Sequence, residues 1–157
     1  MNHVFENAII VAVLLAVILI PVTIVVINSS KSKKKRINSE LMQAEKDLKA
    51  NFNHIDHIYS SVIAMDEEKK IIIQMNLEDY GRQLIDLKNV TSCSVEEKKQ
   101  GNATLLLQLA LRLNNQRTPH YIVLYKQYID KESHLKKLFK TATQWEIMIN
   151  RAIAVPV

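Results

Sequence analysis

Between Asn7 and Ser30 the chain carries no charged side chain, and its centre, AIIVAVLLAVILIPVTIVVI over 8–27, is interrupted only by Pro21 and Thr23. No other feature constrains the fold as strongly. At a rise of 1.5 Å per residue, a helix of that length covers about 30 Å, the thickness of a bilayer's hydrocarbon core. Inside lipid every backbone amide must bond within the segment, so a single span is helical. Pro21 removes one donor, a loss that membrane helices tolerate better than water-exposed ones. A cleaved secretory signal places positive charge before a shorter apolar core and ends in small residues. Here the order is reversed: MNHVFEN precedes the core, KSKKKR follows it, and Val25, Val26 and Ile27 close it. The run is expected to be a retained, single transmembrane helix.

Orientation follows from the charges that flank it. Lys31, Lys33, Lys34, Lys35 and Arg36 all lie on the C-terminal side, and Lys and Arg are retained on the cytoplasmic face. The expected placement is therefore the cell membrane, with the N-terminus outside and everything after the span in the cytoplasm. These five residues are the membrane-surface and topology determinants that the sequence offers. Each gains roughly 1 kcal/mol beside an anionic leaflet. A nucleic-acid arm is not supported, because no aromatic or further basic cluster accompanies them.

All 21 Lys and Arg and 15 of the 16 acids lie from Lys31 onward, so the charged body is distinct from the apolar head. Three regions are expected: 1–30, tip and span; 31–57, basic linker and short helix; and 58–157, one small domain. In the linker, INSELMQAEKDLKANF places Leu41, Ala44, Leu48 and Phe52 on one helical face behind Ser39 as a cap. From Ile58 the period becomes that of strands. IYSSVIAMD and KKIIIQMN read as a hairpin around an acidic turn, and QLIDLKNVTSCSVEE as a long strand bent at LKNV. ATLLLQLALRL alternates from Leu105 to Leu113, and HYIVLYKQ sets Tyr121, Val123 and Tyr125 opposite His120, Ile122 and Leu124. The chain then returns to a helical stripe of Leu135, Leu138, Phe139, Ala142, Trp145, Ile149 and Ala152, with Asp130 or Ser133 as its cap. The fold class is α+β: an antiparallel bent sheet of about five or more strands, capped by a C-terminal amphipathic helix.

The hairpin IAMDEEKKIIIQM, the bent RQLIDLKNVTSCSVEE and the closing WEIMINRAI resemble the pleckstrin-homology-like (PH-like) domain in its bacterial form, over about Ile58 to Ile153. The resemblance rests on element order and implies about seven strands, a sheet capped at one end by the helix, and binding or self-association in place of catalysis. The basic loop with which some relatives hold phosphoinositides has no counterpart in DEEKK, which is mixed in charge. No headgroup specificity is implied.

The residues that carry chemistry elsewhere form no set here. A single cysteine, Cys93, excludes an internal disulfide and a thiolate zinc site, and reads as a buried apolar residue of a strand. Ser92 and Ser94 beside it have no positioned base. His54, Asp56 and His57 would give half a metal site on a helix, but polar residues at a helix-to-strand transition account for them better. Asp66, Glu67 and Glu68 read as a solvated turn, Glu78, Asp79 and Asp86 as turn and edge charges, and Trp145 as core. With only two glycines there is no phosphate-cradling loop. The expectation is no enzyme, no catalytic residue, no cofactor and no metal. What remains is a membrane-anchored module that presents a small cytoplasmic domain at the inner leaflet to a protein or lipid partner, with no nucleic acid involved. The alternative is a structural subunit that self-associates within a membrane-associated complex.

Overall fold

The computed structural model describes residues 15–17, 19, 35–58, 61–77, 79–114, 116–130 and 132–154. Most of the expected span, together with Lys31, Lys33 and Lys34, lies outside them. Residues 15–17 and 19 are helical, with Leu15, Val17 and Leu19 more than half exposed. No helix among the described residues is long and apolar enough to cross a membrane. The chain divides into two compact units, Met1–Ala44 and Glu45–Val157.

Among the described residues helix α1 covers 35–48, so Ser39 lies within it and is not its cap. Lys35 and Arg36 lie exposed on it, while Ile37, Leu41 and Ala44 are buried at a spacing of four and three. The helix ends on Lys49, which takes a left-handed φ of 49°. The Ala50 N–H donates to the Glu45 carbonyl (2.8 Å), and the Phe52 N–H to the Glu45 carboxylate (3.1 Å). Phe52, expected on the helix, is buried beyond its end.

Among the described residues seven strands follow: β1 (His54–Ile58), β2 (Ser61–Asp66), β3 (Ile71–Asn76), β4 (Arg82–Asp86), β5 (Val90–Gln100), β6 (Ala103–Leu113) and β7 (His120–Lys126). They form two antiparallel sheets, β1-β2-β3-β4 and β5-β6-β7, and helix α2 (Leu135–Ala154) closes the chain. Two departures account for the strand count. The segment around His54 is a strand paired with β2, where a helix-to-strand transition was expected. The bend at LKNV is sharp enough to end one strand and begin another in the second sheet. Asp86 caps a single 3-10 turn, Leu87–Asn89, by accepting the Lys88 N–H at 3.0 Å.

The two sheets and α2 share one core, which includes Ile63, Met65, Ile72, Leu107, Leu109, Leu111, Ile122 and Trp145, all fully buried. Of the expected α2 stripe, Leu138, Ala142, Trp145, Ile149 and Ala152 are buried, and Leu135 and Phe139 are partly buried against them. Asp130 does not cap α2; its carboxylate accepts the Lys126 N–H at 2.8 Å and closes the preceding loop. The β5–β6 hairpin turns through Gly101, whose φ of +60° at the first loop position suits a tight two-residue connection. In β7 the alternation breaks. The register against β6 shifts between Leu107 and Gln108, which leaves Leu124 as an extra residue. A bulge reverses the phase of all that follows it. Tyr125, expected beside Tyr121 and Val123, is therefore buried while those two stay exposed.

Candidate functional site

Helix α2 lies against elements of both sheets, and the two sides of it differ. On the β5 side it pairs with the strand's edge at one residue. The Asn150 side chain accepts the Cys93 N–H (2.9 Å) and donates to the Cys93 carbonyl (2.8 Å), as a neighbouring strand would. On the β1 side it leaves room. One cavity of about 520 Å³ is lined by Asn53, His54, Ile55 and Asp56 on the strand side and Gln144, Ile147 and Met148 on the helix. A second, of about 390 Å³, is lined by Asp56, His57 and Ile58 with Leu77, His134, Lys137, Leu138 and Thr141. They meet at Asp56, so strand and helix run antiparallel along one groove. Successive residues of a strand point to opposite faces. A surface lined by His54, Ile55 and Asp56 in succession is therefore the strand's edge.

Two anchors set the width of this groove. The buried Trp145 indole N–H donates to the Asp56 carboxylate at 2.8 Å, so the largest core side chain of α2 is satisfied by the middle of β1. At one end Glu67, in the β2–β3 turn, accepts from His54 (3.1 Å) and from Arg151 of α2 (2.9 Å) on the same oxygen. Neighbouring Asp66 is buried and ties the chain down. Its carboxylate accepts the Asn51 N–H at 2.7 Å and the Lys69 N–H at 2.9 Å. The two acids of this turn thus have structural partners. Glu68 stays in the turn, Asp79 accepts the Gly81 N–H, and Glu78 lies outside the described residues.

His54 and His57 share a strand, and a spacing of three sends them to opposite faces. Among the described residues no three His, Cys, Asp or Glu side chains converge as metal ligands. Cys93 is buried on β5 as expected. Burial, with the Glu146 carboxylate adding to it, pushes its thiol up to about 12, far from a nucleophile's range. His120, at the start of β7, is held below the usual imidazole range by burial. A different surface stands apart from the groove: Tyr128 and Ile129, in the β7–α2 loop, are 93% and 66% exposed, and Tyr128 takes a left-handed φ of 70°.

The groove residues Ile55, Ile147 and Arg151 were not singled out by the sequence. One signal was present: Ile147 is apolar at a position that the helical period assigns to water, and it is 62% exposed. No family model matches this chain, and no curated protein or solved structure is significantly similar to it.

Proposed function

We propose that this chain is a single-pass membrane-anchored, non-enzymatic binding module, with a cytoplasmic body of PH-like type. The observation that carries the reading is an open groove along β1 and α2, on a body joined to an uncharged apolar run of membrane-spanning length. Leu15, Val17 and Leu19, helical and exposed within that run, are in keeping with a lipid-facing segment. Seven strands ordered four then three, ahead of a C-terminal helix, support the PH-like part. The acids that catalysis would need are engaged in turns and anchors, which favours binding over chemistry. Anchoring confines the module to a surface, so that weak contacts with a partner there become sufficient.

The test is topology. A C-terminal reporter active on only one side of the membrane should report the cytoplasm. Replacing Lys31, Lys33, Lys34, Lys35 and Arg36 by Gln should scramble that result and reduce contact with anionic lipid. An external C-terminus, or a fully substituted variant that inserts and binds lipid as before, overturns the reading. The open β1 edge also favours the alternative, a self-associating assembly subunit, because unpaired strand edges pair with copies of themselves. Native mass of the detergent-solubilised chain separates the two: a monomer supports the module, a stable ring or dimer the subunit.

A further inference from the structure

We propose that the cavity between the start of β5 and the β6–β7 loop is an anion site, which holds a phosphate monoester through Arg112 and Arg117. The inference goes beyond the binding-module reading and does not depend on the membrane anchor. The cavity, about 530 Å³, is lined by both arginines together with Thr91, Asn114 and Gln116. Among the described residues no carboxylate lines it, and neither guanidinium enters an ion pair. Elsewhere on the body arginines meet acids: Arg82 pairs with Asp47, and Arg151 with Glu67.

The sequence keeps acids away from this end of the second sheet. No Asp or Glu occurs from Leu87 to Val95 or from Lys98 to Ile129, and those two stretches supply the whole lining. Asp86, before the 3-10 turn, and Glu146, towards Cys93, carry charge nearby, but neither lines the cavity. Lys88, in the same turn, adds a cation. The balance of these charges is positive.

Backbone contacts fix where the two arginines leave the chain. Thr91 is the extra residue of a register shift against β6, and its hydroxyl donates to the Arg112 carbonyl at 3.1 Å. The Asn114 N–H donates to the Asn89 carbonyl at 2.9 Å, which ties the loop carrying Arg117 to the 3-10 turn. Pro119 fixes φ where that loop enters β7.

The chemistry of the lining selects the ligand. A guanidinium presents a planar fork of N–H donors that fits two oxygens of a carboxylate or a phosphate. Two of them match the charge of about −1.5 to −2 that a phosphate monoester carries at pH 7. A carboxylate would use only one. The side-chain amides of Asn114 and Gln116 offer neutral donors to a further oxygen. The volume lies in the range of small-molecule sites, about 300–1,000 Å³, so it also admits the organic part of an ester. Leu113 and Pro119 give that part an apolar wall.

The test is calorimetric titration of the full-length chain in phosphatidylcholine nanodiscs, with empty discs subtracted. One arm uses glycerol 3-phosphate and the other the short-chain lipid dioctanoyl phosphatidic acid. Binding should be at least about tenfold weaker to Arg112→Gln and to Arg117→Gln. Arg117→Lys, which keeps the charge and loses the fork, should fall between. Lys98→Gln removes the same charge at the far end of β5 and should bind as the parent does. Both arginines are exposed, so their variants should keep the parent's Trp145 fluorescence. Binding of glycerol 3-phosphate assigns a soluble ester, and binding of the lipid alone a headgroup; both support the site. No binding in either arm, an equal loss in Lys98→Gln, or acetate bound as tightly as the ester overturns the proposal. The topology test is untouched by these results, so the membrane-anchored reading stands or falls separately.

Discussion

At the scale of single residues, the position of α2 depends on a few polar atoms more than its apolar stripe suggests. Trp145 is fully buried and its one donor has one partner, the Asp56 carboxylate. Truncating that partner leaves a buried N–H unsatisfied, at a cost of about 1–3 kcal/mol. Asp56→Ala is expected to lose that much stability, whereas Asp56→Asn, which keeps an acceptor oxygen, should lose less. Trp145 is the only tryptophan, so urea unfolding followed by its fluorescence measures both variants at the site concerned. Equal losses from the two substitutions would mean that the hydrogen bond contributes nothing specific. Asp56 was read from the sequence as a polar residue at a transition; nothing local tells which of 16 acids will face an indole 89 residues away.

At the scale of elements, the informative feature is how each strand edge ends. β5 is an edge strand whose Cys93 is paired by the two-pronged amide of Asn150. Asn150→Leu fills similar space but satisfies neither group. It is expected to cost about 1–3 kcal/mol and to raise amide hydrogen exchange at Cys93 more than at the β6 amides. Unchanged exchange at Cys93 would assign Asn150 to packing alone. Strand alternation was legible for β6 only in part: Leu107, Leu109 and Leu111 line the core, but a register shift against β5 leaves Leu105 as an extra residue, and Gln108 and Ala110 are buried on the other face. It misled for β7, where one extra residue at Leu124 inverts the pattern. A bulge is set by the partner strand, so no single strand's sequence shows it.

At the scale of the whole molecule, buried titratable groups tie stability to pH. His120 Nε2 is buried without a hydrogen-bond partner among the described residues, and burial depresses its pKa from 6.5. The unfolded chain therefore binds a proton here that the folded chain resists. The associated stability is complete above about 6.5 and is lost as pH falls through the depressed folded value. Urea midpoints should fall between pH 7 and pH 5, and His120→Gln should flatten that slope. A variant with the parent's slope would place the dependence elsewhere.

The apolar run, the charge asymmetry around it, the α+β order of elements and the buried face of α2 can all be read along the chain. Each is a local property, a matter of period, length or charge within one segment. Long-range packing settled that the bent strand divides between two sheets, that Tyr125 turns inward and that Asp56 meets Trp145. It also decided that α2 pairs with the edge of β5 at Cys93 and leaves cavities beside β1. Those outcomes depend on which distant segments become neighbours. A groove is the space left between two such segments, so neither sequence alone encodes it.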